Sequence, residues 1–207
     1  MSNLVNNSGV VASDVTGVGT ARTFSAGAGY GLDKGIFAYG LTGSNVSMSN
    51  LVSNSGVIAA DVSGVGTARR LNNGGTGYGT DKAIFAYGYV SSAVSMSNLV
   101  SSSGVVAADV SGVGTARLYL AAAEYGGDKA IYGYGDNGSS KVSMTNLVNN
   151  SGVIASDVTG VGTARSYLSA TRYGGDKAIF AYGNSGSNVS MSNLVNSSGV
   201  VAADVTG

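Results

Sequence analysis

The chain repeats itself with a nearly fixed period, and that constrains its fold more than any other feature. Ser-Asn-Leu-Val places an asparagine at Asn3, Asn50, Asn98 and Asn193, and Thr-Asn-Leu-Val places one at Asn146, giving spacings of 47, 48, 48 and 47. Gly-Val-Gly-Thr-Ala-Arg ends at Arg22, Arg69, Arg117 and Arg165. An Asp-Lys-Ala-Ile-Phe-Ala-Tyr-Gly segment, with small variations, ends at Gly40, Gly88, Gly135 and Gly183. In such an array each unit buries its apolar face against its neighbours. We therefore expect one domain over residues 1–207, made of a half-unit 1–19 and units 20–64, 65–112, 113–160 and 161–207.

The one-residue length changes fall in two places. The stretch Arg69 to Tyr78 is one residue longer than Arg22 to Tyr30, and Gly135 to Asn146 is one longer than Gly40 to Asn50. A strand paired on both sides resists insertion because a one-residue slip turns its side chains to the opposite face. Both stretches therefore contain loop, and the first also includes a strand.

Each unit reads as four short strands. Val46–Val52 alternates with period two, and Asn54-Ser55-Gly56 signals a turn. Val57–Val62 is an apolar run suited to a strand buried on both faces. Thr67 to Asn72 is expected as a third strand, clearer in the next unit as Ala116–Leu120. Tyr78-Gly79-Thr80-Asp81 is a turn, and Lys82–Tyr87 is the fourth strand, ended by Gly88. No stretch holds helical periodicity, and the 34 glycines disfavour helix. Four antiparallel strands in this length match the dimension of a propeller blade. The fold class expected is all-β, a β-propeller of four-stranded antiparallel blades with four to five blade positions.

The chain resembles kelch-type propellers. Ala83-Ile84-Phe85-Ala86-Tyr87-Gly88 resembles the family's apolar strand with its terminal glycine, and Gly112-Val113-Gly114-Thr115-Ala116-Arg117 resembles the segment that carries an arginine to the next blade. Tyr-Gly stands where that family has two glycines, and tryptophan is absent. The period is also similar in length to that of five-bladed lectin propellers of the tachylectin type. The resemblance implies a non-catalytic scaffold, or a lectin.

Composition narrows the chemistry. Without His or Cys the chain lacks the usual zinc, copper and haem ligands and the usual base for a Ser or Cys nucleophile. No cofactor is expected. Eleven basic residues balance eleven acidic ones, so no cationic excess marks a nucleic-acid surface. No apolar run is long enough for a membrane helix, and the first residues show neither the basic nor the apolar region of a signal peptide. Neither a nucleic-acid nor a membrane partner is expected, and compartment is not legible. Apolar residues at 43% argue for a packed core over disorder.

The recurrent charges cancel within each unit. They are the aspartate of Asp-Val (Asp14, Asp61, Asp109, Asp157, Asp204), the arginine of Thr-Ala-Arg, and the Asp-Lys pairs. Their structural role would be to join neighbouring blades or to satisfy turn amides; their functional role would be to line a channel or pocket. Glycosidase chemistry needs two carboxyls in different environments. Equivalent aspartates in equivalent units do not have them, and nothing marks the single glutamate, Glu124, as special. No enzyme activity is expected.

Tyrosine makes the best case for a ligand. Tyr30, Tyr78, Tyr125 and Tyr173 each stand three residues before an aspartate, at Asp33, Asp81, Asp128 and Asp176. An exposed ring beside a carboxylate suits a sugar, the ring covering the apolar face and the acid accepting hydroxyl hydrogens. Alternatively these rings cap the blade and pack on the next one. Partners in view are glycans or a repetitive surface, bound weakly at several sites; a symmetric scaffold without a ligand is the third reading.

Closure is the last expectation. The half-unit from Ser-Asn-Leu-Val onward occurs five times and the other half four times, which at two strands each makes 18 strands. Both ends supply the same half, from Ser2 to Gly17 and from Ser192 to Gly207. We expect a monomeric five-position ring with one incomplete blade; the rival outcomes are four closed blades that leave one terminal pair of strands outside, and self-association through open strand edges.

Overall fold

The computed structural model describes residues 1–207 and contains no helix. Twelve strands form four antiparallel sheets of three, each strand pairing with the next in the chain. The first sheet holds β1 (Ala26–Tyr30), β2 (Lys34–Leu41) and β3 (Asn45–Val52). The second holds β4 (Gly75–Tyr78), β5 (Lys82–Ala86) and β6 (Ser97–Val100). The third holds β7 (Ala121–Tyr125), β8 (Lys129–Gly133) and β9 (Thr145–Val148), and the fourth β10 (Ser169–Tyr173), β11 (Lys177–Ala181) and β12 (Ser192–Val195). The register repeats with the sequence: Ile36 pairs with Leu51, Ile84 with Leu99, Ile131 with Leu147 and Ile179 with Leu194.

The expected strand count is corrected from four to three. The segment Val57–Val62 meets β3 only at two isolated bridges, Ser49 with Val62 and Val52 with Ile58. Between them Asn50 and Leu51 face three residues, Ala59 to Asp61, so the extra residue bulges and interrupts the ladder. The Asn50 side chain fills the gap, donating from Nδ2 to Ala59 O at 3.1 Å and to Asp61 Oδ1 at 2.9 Å. Asn98, Asn146 and Asn193 repeat the arrangement, and Asn3 repeats it in the N-terminal hairpin Ser2–Val15. Nor is this segment buried on both faces. It is the outer edge of each unit, and Val57 and Val62 are both exposed.

The third strand is also displaced. Thr67 to Asn72 holds a single bridge, Arg70 with Tyr89, and in the next unit Arg117 and Leu118 make only isolated bridges. The regular strand comes later, at β4 and β7, inside the variable stretch. Positive φ at Asn72 and Asn73, as at Phe24, Tyr119 and Tyr167, turns the chain between the two. The irregular segment carries an arginine inward: Arg69, Arg117 and Arg165 are fully buried.

The core is three layers, one in each junction between consecutive sheets. Each arginine lies over the tyrosine of the preceding unit, Arg69 on Tyr39 at 4.2 Å, Arg117 on Tyr87 at 4.7 Å and Arg165 on Tyr134 at 4.2 Å. Each also donates to the bulge asparagine of its own unit: Arg69 to Asn98 at 2.7 Å, Arg165 to Asn193 at 2.8 Å, and Arg117 to Asn146. The aspartates tie the two ends of a unit together, since Asp61, Asp109, Asp157 and Asp204 accept from the hydroxyls of Thr20, Thr67, Thr115 and Thr163 at 2.6–2.7 Å.

This wiring sets a pH profile. The Thr20 hydroxyl is the main cause holding the Asp61 carboxyl below its ordinary value. At Asp109, Asp157 and Asp204 partial burial pushes upward, but the threonine and asparagine hydrogen bonds and the arginine charge together leave the carboxyls below their ordinary value. A depressed carboxyl stabilises the fold above its ordinary value of 3.8, and that stability is lost as pH falls through the depressed one. Burial, opposed by the arginines, raises the Tyr39, Tyr87 and Tyr134 hydroxyls to about 12. Their contribution is present below 10 and is lost as pH rises through about 12. Thermal melts should show a plateau between roughly pH 5 and 9 with both limbs falling. Thr115→Val should move the acid limb to higher pH; an unmoved limb would remove Asp157 from the explanation.

The expected five-position closure is not made. No hydrogen bond, ion pair or ring contact joins the fourth sheet to the first sheet or to the N-terminal hairpin. Gly104, Gly152 and Gly199 each receive a leucine and a tyrosine from the preceding unit, whereas nothing lies near the Cβ position of Gly9.

Candidate functional site

The turns between the first and second strands of each sheet gather at one end of the molecule. Each is bonded to the next: Gly31 N donates to Asp81 O, Gly79 N to Asp128 O and Gly126 N to Asp176 O, all at 2.7 Å. These turns need successive residues of positive φ, at Gly126 and Gly127 in the third sheet, and the first sheet makes the same turn with Gly31 and Leu32.

A cavity of about 140 Å³ opens among them, bordered by all four sheets. The first sheet supplies Tyr30 and Leu32, the second Tyr78, Thr80 and Lys82, the third Glu124 and Asp128, and the fourth Arg172. Arg172 Nη1 donates to Glu124 Oε2 at 3.0 Å across the border between the third and fourth sheets. Both are partly exposed, so the pair orders the two side chains more than it stabilises the fold. Gly77, in the equivalent place of the second sheet, leaves the room it needs: a Cβ there would collide with the Glu124 carboxylate.

The eight residues picked from the sequence separate here. Tyr30, Tyr78 and Asp128 border the cavity; Tyr125, Tyr173, Asp33, Asp81 and Asp176 do not. Tyr30, Tyr78 and Tyr125 are buried, their rings lying against Gly104, Gly152 and Gly199 of the following unit, and only Tyr173 remains substantially exposed. Asn54 donates to Asp33 at 3.1 Å and Asn150 to Asp128 at 3.0 Å, and these bonds are the main cause of both carboxyls lying below their ordinary value. The lysine after each aspartate stands 3.4–3.5 Å away. The cavity's own charged lining is two carboxylates, Glu124 and Asp128, and two cations, Lys82 and Arg172.

Sequence reasoning missed Leu32, Thr80, Glu124 and Arg172. The available signal was departure from the repeat: the position before the turn tyrosine reads Gly29, Gly77, Glu124 and Arg172. Near the starts of the first strands a second opening is bordered by small residues, among them Gly27, Gly75, Ala121 and Ala170. No protein-family model matches the chain, and no curated protein matches it in sequence.

Proposed function

We propose that the chain is a non-catalytic, propeller-type scaffold whose sheets stack about an axis and present one polar mouth. The observation that supports this reading most directly is the use of the recurrent polar residues. The arginines, bulge asparagines and Asp-Val aspartates of every complete unit are engaged in holding that unit together, and the arginines of the last three units also hold it to its neighbour. The carboxyls with shifted pKa values are all depressed, which suits hydrogen-bond acceptance and not proton donation near neutral pH.

The mouth favours a second reading, a lectin. Aromatic edges, a threonine hydroxyl, two carboxylates and two cations around a cavity of about 140 Å³ suit a single hydroxyl-rich ring such as one sugar residue. Because the turns converge on one cavity, the stoichiometry is one ligand per chain, in place of one per unit. A glycan array followed by calorimetric titration tests this. Thr80→Trp should fill the mouth and abolish binding while leaving the melting temperature unchanged. Absence of any retained glycan would leave the scaffold reading alone, and about four ligands per chain would return the site to the separate turns.

A further inference from the structure

The array contains three completed junctions and the two halves of a fourth. At the first junction Tyr39 lies under Arg69 and edge-on to Phe85, with ring centroids 5.7 Å apart, while its hydroxyl donates to Val65 O at 3.3 Å. Gly40 N donates to Arg69 O at 3.0 Å. The second and third junctions repeat this set around Tyr87 and Tyr134. Past the fourth sheet the same donor face stands open. Tyr182 is 63% exposed and the amides of Gly174 and Gly183 have no partner. Ahead of the first sheet the acceptor face is covered only in part, by the hairpin's Leu4 against Gly56, and lacks the ring that completes the other junctions. Phe37 is 44% exposed, where its equivalents Phe85, Tyr132 and Phe180 are fully buried, and no ring lies on Arg22.

We propose that these two faces bind each other between copies of this chain, head to tail. The fourth sheet of one copy docks on the first sheet of the next. Tyr182 then lies between Arg22 and Phe37, its hydroxyl donates to Val18 O, and the amides of Gly174 and Gly183 donate to Asp33 O and Arg22 O. A second copy is the matched occupant because each junction inside the chain already demonstrates the same chemistry, residue for residue. The contact uses different surfaces on the two partners, so it propagates into rings or filaments instead of stopping at a symmetric dimer.

The N-terminal hairpin regulates this docking. Leu4 sits against Gly56 as Leu51 does against Gly104, which is the place a docking sheet's Leu194 must take. Every hydrogen bond of residues 2–15 is internal to the hairpin, so nothing polar ties it to the first sheet. The nearly identical Ser192–Val205 of the incoming copy replaces it.

Light scattering over a range of concentrations tests the assignment, with circular dichroism to confirm folding. The chain should associate reversibly. Tyr182→Ser and Phe37→Ser should each weaken association by roughly 30-fold or more, the loss expected of a buried aromatic anchor. Both side chains are exposed in the single chain, so neither change should unfold it. Tyr182→Phe, which keeps the ring, should weaken association less. An equimolar mixture of the two serine variants should form a dimer with wild-type affinity, since each retains the face the other lacks. Leu4→Asp, which loosens the hairpin, should strengthen association. A wild-type chain that stays monomeric at every concentration overturns the proposal. So does a serine variant that associates alone as well as wild type, or a mixture that gives no dimer. An unchanged affinity for Leu4→Asp overturns the hairpin's role.

Discussion

Tyr87→Ala should destabilise the chain by about 3–5 kcal/mol, the cost of truncating a fully buried aromatic residue, while Tyr182→Ala in dilute protein should change stability by about 0.5 kcal/mol or less. The two tyrosines stand in the same Ala-Tyr-Gly sequence. Tyr87 is fully buried, 5.3 Å from the Tyr132 ring and 4.7 Å from the Arg117 guanidinium, and its hydroxyl donates to Val113 O. Tyr182 has none of these partners. For a chain of this size each kcal/mol moves the melting temperature by about 2–4 °C. Calorimetry should therefore separate the variants by roughly 10 °C. Equal losses at the two positions would mean that the fourth face is covered.

Arg69→Met should have an effect of comparable size. The methionine fills much of the stem's volume but leaves Asn98 Oδ1, Tyr87 O and Phe85 O without their donor. Buried acceptors left unpaired cost about 1–3 kcal/mol each, with some relaxation, so a loss of at least 3 kcal/mol is expected. Arg69→Lys keeps the charge but cannot reproduce the guanidinium fork, and should recover only part of it. Arg22→Met should cost much less, because Arg22 makes no bond to its asparagine and has no ring upon it. Hydrogen exchange offers a second measure: in Arg69→Met, protection should fall first at the junction of the first two sheets. A melting temperature equal to wild type would show that the arginine network contributes specificity and no net stability.

The repeat, the all-β class, the turn at each Tyr-Gly-x-Asp and the strand from Lys82 were legible because each depends on neighbours a few residues away. The positive φ of Tyr39, Tyr87, Tyr134 and Tyr182, between 62° and 64°, is as local: the exposed tyrosine adopts it as the buried ones do. The segment Val57–Val62 was misread because its apolar run has the composition of an inner strand. Only the bulge opposite Asn50 and the absence of a neighbour beyond it make that segment an outer edge. The variable stretch was misread because Gly-Thr-Gly-Tyr and Ala-Ala-Glu-Tyr have little strand signature of their own. They become strands by pairing with β5 and β8.

The candidate site divides in the same way. The sequence marked Tyr30, Tyr78 and Asp128 but scattered them over separate turns, and nothing local places Arg172 beside Glu124, 48 residues away. The sequence by itself determined the unit: its length, its turns, the strand from Lys82 and the twist at each tyrosine, all of which rest on contacts within one repeat. The tertiary structure alone decided which tyrosines are buried, where the arginines end and that the turns share one mouth, because burial depends on what stands next to a surface, and identical units with different neighbours have different surfaces.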